Sequence, residues 1–148
     1  MSRETLIEGF VYDRWANERW LAILGDMPDP TRASGIFRHI VGAQNTWLKR
    51  CLSEEEVPDL PEDPGQAVIQ AHEGWVELLQ TCDPGAFVAY TNLQGESHFN
   101  TVEQIARHVV NHGTYHRGHL RGLCEAAGFA GFPETDFIRF AREELPGV

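Results

Sequence analysis

The sequence has 148 residues, 42% of them hydrophobic, which is enough for one compact domain (residues 1–148) that needs no disulfides to hold its core. Acidic residues outnumber basic ones 22 to 12, and the formal charge of −10 disfavours nucleic acids and anionic membrane surfaces as partners. No apolar run approaches the roughly 20 residues of a membrane span, and the first eight residues lack a signal-peptide pattern, so we expect a cytoplasmic protein.

Four long helical patterns, separated by proline and glycine, predict an all-α four-helix bundle. Helix 1 is predicted over residues 3–24, helix 2 from residue 31 or 34 to 52, and helix 3 over 65–82, after an acidic, proline-rich link. Helix 1 has two apolar stripes, one of which includes Tyr12, Ala16 and Trp20. This second stripe needs cover from the C-terminal helix or from another subunit.

The region before helix 4 is predicted as either a short hairpin or an extended loop, with residues 87–91 and 96–99 flanking the turn sequence NLQG. Helix 4 opens at Thr101 with a capping box completed by Gln104, and it should run to Ala127. A last short helix over residues 134–144 should pack across the bundle. The cysteines are predicted to be free thiols beside the core, because they are odd in number and far apart: Cys51, Cys82 and Cys124.

Helix 4 carries four of the seven histidines, at positions 108, 112, 116 and 119. At about 100 degrees per residue they lie within roughly 80 degrees of arc, and they rise about 16 Å along the axis, so only neighbouring histidines can share an ion. The helical wheel places His112 and His116 closest to the apolar direction. An inward H-x3-H pair is a common way to offer two imidazoles to one metal ion.

The helical wheel alone does not identify the third metal ligand. His72 lies in the middle of the apolar stripe of helix 3, where it is either a ligand or a hydrogen-bonded core histidine. His39 lies outside the apolar arc of helix 2, so the wheel would not select it. Gln44 falls in the centre of that arc and needs a hydrogen-bond partner if it is buried.

Several segments resemble the DinB-like (DNA-damage-inducible) family of metal-binding helical bundles, and the likeness extends along the whole chain. The matching segments are YDRWAN at residues 12–17, HIVGAQ at 39–44 with the following Trp47 and Leu48, NHGTYHRG at 111–118, and TDFI at 135–138 with Phe140.

The resemblance implies a metal site made of one histidine on helix 2 and two on helix 4, which correspond to His39, His112 and His116. It also implies one divalent metal ion per chain, zinc or nickel, and a homodimer. His119 stands where the family usually has glutamine. The family name records induction by DNA damage and does not imply DNA binding.

The predicted site suggests chemistry, because three imidazoles leave a tetrahedral ion one open position. Relatives of this fold include bacillithiol and mycothiol transferases, so the resemblance favours a metal-dependent low-molecular-weight thiol S-transferase acting on a thiol and an electrophile, or a hydrolase that uses metal-bound water. The candidate general bases are His119 and His72, followed by His108 and Glu96. The alternative is a non-catalytic metal or small-molecule binding protein of the stress response.

Overall fold

The computed structural model describes residues 1–145 and 147, and most of them are helical. Four long helices, two short strands and a short final helix follow one another in the order α1 (Arg3–Leu21), α2 (Pro30–Cys51), α3 (Pro64–Thr81), β1 (Phe87–Thr91), β2 (Ser97–Thr101), α4 (Val102–Ala126) and α5 (Phe137–Glu144). The prediction of a mainly helical chain is confirmed. In this described part of the chain, none of the helices combines the length and the apolar character that crossing a membrane requires.

The helix starts follow local capping chemistry. Asp29 and Asp63 each accept a hydrogen bond from the backbone N–H three residues on, and each is followed by a proline in the first helical turn. Proline is tolerated there because its missing N–H would have no intrahelical partner. The predicted capping box at the start of α4 is confirmed: the Thr101 side chain accepts from the Gln104 backbone, and the Gln104 side chain accepts from the Thr101 backbone.

Two predicted boundaries were wrong by about one turn. α1 ends at Leu21, and a separate 3₁₀ turn covers Leu24–Asp26. α5 begins at Phe137 instead of residue 134, because the segment before it is held by α1. The Tyr12 hydroxyl donates to the Thr135 carbonyl at 2.6 Å, and the Trp20 indole N–H donates to the Thr135 hydroxyl at 3.0 Å.

A hairpin forms between α3 and α4, which decides between the two predicted alternatives. β1 and β2 are antiparallel, with Phe87 opposite Thr101. The turn is stabilised by the Asn92 side-chain oxygen, which accepts from the backbone N–H groups of Gln94 and Glu96, and by Gly95 at a φ of 82°. A positive φ favours glycine, so the NLQG sequence suits this turn.

The long helices pack as neighbours: α1 lies against α3 and α4, and α2 lies against α4 and α3. Phe10 and Trp75 stack at 4.8 Å in one part of the core, while Trp20 and Phe37 belong to another. This arrangement sets α2 beside α4, which is the pairing that forms the site described below.

The second apolar stripe of α1 is covered by the chain itself. Tyr12, Trp15 and Ala16 form a buried cluster with Phe140 of α5, and Trp20 is also buried. Of the two predicted alternatives, cover by the C-terminal segment is therefore the one the structure shows. The homodimer itself stays a prediction that rests on the family resemblance.

All three cysteines are free, as predicted. Cys124 is buried, and Cys51 and Cys82 are half-buried. Burial, with a smaller contribution from the neighbouring Cys82, raises the pKa of the Cys51 thiol to about 12. This thiol is therefore protonated at neutral pH and unreactive as a nucleophile.

Candidate metal centre

Three histidines meet where α2 lies against α4. His39 comes from α2, and His112 and His116 lie one turn apart on α4. One ring nitrogen from each lies within 4.8 Å of the others, and the Nε2 atoms of His39 and His112 are 3.1 Å apart. The ring centroids of His39 and His116 are separated by 4.6 Å. The structure thus brings together the three histidines that the family resemblance indicated.

The geometry suits a divalent metal ion. Nitrogen ligands at about 2.0–2.1 Å from a tetrahedral ion lie about 3.4 Å from one another. The Nε2 atoms of His39 and His112 are 3.1 Å apart, and the three nitrogens all lie within 4.8 Å of one another, so small rotations of the imidazoles would complete the site. Within residues 1–145 and 147, no other three histidine, cysteine or acidic side chains converge in this way. Imidazole donors are suited to zinc, copper, iron and nickel.

The cluster also keeps His112 and His116 neutral. Burial, followed by the proximity of His116, His39 and His108, lowers the pKa of His112 to about 4. Burial, followed by His39 and His119, lowers the pKa of His116. A neutral imidazole has a free lone pair, so at neutral pH these rings are ready to bind a metal without first losing a proton.

The cluster lies at the edge of the helix pair, not in the interior as the wheel had suggested. His39 is exposed, and His112 and His116 are half-buried. The residues of α4 that face the core at this level are Gly113 and Arg117. The helical wheel counts arginine among the surface residues. It therefore did not predict that Arg117 faces the core, where the Asp13 carboxylate is its partner.

The other candidate residues are placed around the cluster or away from it. His72 is half-buried on α3 with its Nδ1 atom 3.2 Å from the Phe10 carbonyl oxygen, and it does not join the three histidines. His119 is exposed on α4, one turn beyond His116. His108 lies one turn before His112, with the two ring centroids 5.7 Å apart. Glu96 is exposed in the hairpin turn.

A buried polar network lies behind the histidines and joins three helices. The Asp13 carboxylate of α1 accepts hydrogen bonds from Arg117 of α4 at 2.7 Å, from Gln44 of α2 at 2.9 Å and from Asn17 at 3.2 Å. Arg117 also donates to the Asn17 side-chain oxygen at 2.8 Å. All four side chains are almost fully buried. The predicted need of Gln44 for a partner is thus confirmed.

Sequence reasoning missed the rest of this network. Its signal was present in helix 1, where Asp13 and Asn17 lie four residues apart among apolar residues and so share one helix face. Polar residues at helical spacing in an apolar stripe indicate a buried network, because each must find a hydrogen-bond partner.

The network fixes the backbone next to the metal candidates. Arg117 follows His116 directly, and Gly113 follows His112. A Cβ atom at position 113 would lie 2.5 Å from the Asp13 carboxylate, so the close approach of α1 to α4 requires glycine here. Because Gln44 and His39 belong to the same helix, the hydrogen bonds of Asp13 also hold α2. The network therefore holds α1, α2 and α4 together directly beside the three imidazoles.

Comparison with known proteins gives a partial match. Over 37 residues the chain is 51% identical to the protein named Protein DinB of Bacillus subtilis (strain 168), a stretch that covers 25% of this chain and 21% of DinB. The matched part therefore spans about a fifth of the length of that relative. No protein-family model matches the chain, and no solved structure matches it. The similarity supports a relation to DinB over one quarter of this sequence.

Proposed function

We propose that the chain is a DinB-like four-helix bundle that binds one divalent metal ion, zinc or nickel, through His39, His112 and His116. The observation that carries the proposal is the convergence of three imidazole nitrogens from two helices within 4.8 Å. The lowered pKa values of His112 and His116 favour the same role, because metal ligands must be unprotonated. The segment match to DinB adds independent support from sequence.

We further propose that the centre is catalytic, as a low-molecular-weight thiol S-transferase or a hydrolase. A divalent ion held by three histidines supplies an open Lewis-acid position that can activate a thiol or a water molecule. The exposed face at His39 lets a small molecule reach this position.

Two histidines flank the pair on α4 and are the best candidates to accept or deliver a proton at a ring nitrogen. They are His108 on one side and the exposed His119 on the other. His72 is less suited, because its Nδ1 atom is engaged with the Phe10 carbonyl.

Metal analysis followed by cobalt substitution tests these proposals. Purified protein should contain about one transition metal per chain. If the centre activates thiols, adding a low-molecular-weight thiol to the cobalt protein should produce a sulfur-to-metal charge-transfer band, and transfer to an electrophile should require both metal and thiol.

The two catalytic alternatives and the binding alternative give different results. For a hydrolase, thiols should inhibit and hydrolysis should proceed without them. A metal-loaded protein that shows no thiol band, no transfer and no hydrolysis across a broad substrate panel would instead be a non-catalytic metal-binding protein. Protein that takes up no transition metal would contradict the metal centre itself.

A further inference from the structure

A cavity of about 310 Å³ opens one helical turn from the candidate metal ligands. Its lining comes from α2, the hairpin and the start of α4, and consists of Trp47, Tyr90, Asn100, Gln104, Ile105 and His108. His108 connects the cavity to the metal centre. Its ring centroid is 5.1 Å from that of Trp47 and 5.7 Å from that of His112. A molecule in this cavity would thus lie close to an ion on the three histidines.

The walls of the cavity present flat aromatic faces in a fixed arrangement. Trp47 and Tyr90 meet edge to face, with centroids 5.0 Å apart. The Tyr90 hydroxyl donates to Asn100 at 2.6 Å, and the Asn100 side-chain amide donates to Gln104 at 3.1 Å. These bonds use the Gln104 carbonyl oxygen and leave its side-chain NH₂ free of protein acceptors within the described residues. The cavity therefore offers planar surfaces and a hydrogen-bond donor.

Arg50 lies beside the cavity, outside its lining, and adds a positive charge to this aromatic pair. Its guanidinium carbon lies 4.3 Å from the Trp47 ring centroid and 5.2 Å from that of Tyr90, and the side chain is half-buried. Acidic residues outnumber basic ones 22 to 12 in the whole chain. Nevertheless, among residues 1–145 and 147 no carboxylate lies within 4.0 Å of the Arg50 side chain. A guanidinium that is stacked but unpaired retains N–H groups for an anion.

We propose that Arg50 and this cavity form a binding subsite for an organic carboxylate that carries a planar, conjugated or aromatic group. The planar group would pack on the parts of the Trp47 and Tyr90 rings that face the cavity and are not covered by Arg50, while Arg50 would donate to the carboxylate in the paired geometry that guanidinium favours. This proposal rests on the proposed metal function. The subsite would hold the anionic end of a small-molecule substrate, and the other end of that substrate would reach the ion.

The test uses benzoate as the probe and follows the indole N–H resonance of Trp47 by NMR, in zinc-loaded and in EDTA-treated protein. Benzamide has the same ring without the charge, so it separates the two parts of the subsite. We expect benzoate to shift the Trp47 resonance saturably in both metal states and to bind about tenfold or more tightly than benzamide. Equal binding of the two probes would overturn the proposal.

Variants of Arg50 sharpen the result. Arg50→Gln should weaken benzoate binding about tenfold or more and leave benzamide binding unchanged, while Arg50→Lys should give an intermediate loss because lysine keeps the charge without the planar fork. The matched control is Arg19→Gln, which removes a guanidinium stacked at 4.0 Å on Trp15, away from this cavity. Unchanged benzoate binding in Arg50→Gln would refute the subsite.

The metal state separates failure of this proposal from failure of the metal centre. Benzoate binding that disappears with EDTA would show that the carboxylate binds the ion, which overturns the subsite and keeps the metal function. Benzoate binding in protein that never takes up metal would keep the subsite and overturn the metal function.

Discussion

The histidine cluster and the buried network are two groups of polar side chains that share α2 and α4. They differ in how many of their hydrogen-bonding atoms are already paired within the chain. The Asp13 carboxylate accepts three hydrogen bonds from within the chain. The three histidines lie at the surface, and among themselves they make one nitrogen-to-nitrogen contact, between His39 and His112. A buried group must be satisfied internally because water cannot reach it, whereas an exposed group can remain open to a ligand. The network is therefore structural, and the cluster has the character of a binding site.

The largest effect should come from the cluster. His112→Ala removes the central ligand, so we expect the metal content to fall from about one ion per chain to none, as measured by elemental analysis of the purified protein. His72→Ala is the control, because His72 lies on α3 outside the cluster and should leave the metal in place. Full metal occupancy in His112→Ala would refute the site.

The next largest effect should come from the network. Asp13→Ala leaves Arg117 buried without its counter-ion, and we expect the free energy of unfolding of the metal-free protein to fall by about 3–5 kcal/mol in denaturant titrations. Glu134→Ala is the control. It removes an exposed partner of Arg121 and should cost no more than about 1 kcal/mol. Similar losses of unfolding free energy in the two variants would show that the buried network stabilises the fold no more than an exposed ion pair does.

Gly113 lies between the histidine cluster and the buried network, and changing it gives a smaller and more specific test. Gly113→Ala places a methyl group against Asp13 and Arg117, and overpacking of this kind costs about 1–3 kcal/mol. Because position 113 follows His112, we also expect weaker metal binding in a competition titration. Gly118→Ala lies on the same helix, where a Cβ atom would contact nothing within 4 Å, and it should be neutral or slightly stabilising. Equal behaviour of the two variants would contradict the proposed positioning role.

The smallest expected effect is the contribution of His72 to the pH dependence of stability. The His72 side chain faces Arg14, Asp13, Glu73 and the Phe10 carbonyl. Burial, followed by the nearby Arg14, lowers the pKa of His72. The unfolded chain therefore binds this proton at higher pH than the folded chain does. The stability that neutral His72 contributes is complete above its unfolded pKa of about 6.5 and is lost as pH falls toward the folded value.

Denaturant titrations of metal-free protein across this pH range test that sign. His72→Gln should show a shallower loss of stability below about pH 6.5 than the parent protein, since one titrating group is removed. His112 and His116 contribute in the same direction to both proteins, so the difference between the two profiles isolates His72. Parallel pH profiles would show that His72 does not titrate differently on folding.

Local signals predicted much of this molecule because they act over a few residues. The start of α4 follows from Thr101 and Gln104, which satisfy backbone donors within one turn. His112 and His116 are adjacent because four residues make slightly more than one helical turn. The hairpin was left open from sequence, because an isolated two-stranded hairpin is only marginally stable by itself, and the pairing of β1 with β2 decided it.

Helix periodicity by itself determined that α4 offers paired histidines, but only the packing of α2 against α4 decided that His39 joins them and His72 does not. Each pattern describes one helix about its own axis, whereas the choice between His39 and His72 depends on which neighbour α4 contacts and at what height. The same limit explains Arg117. Its wheel position could not reveal that Asp13, 104 residues away along the chain, would compensate its charge and make burial favourable.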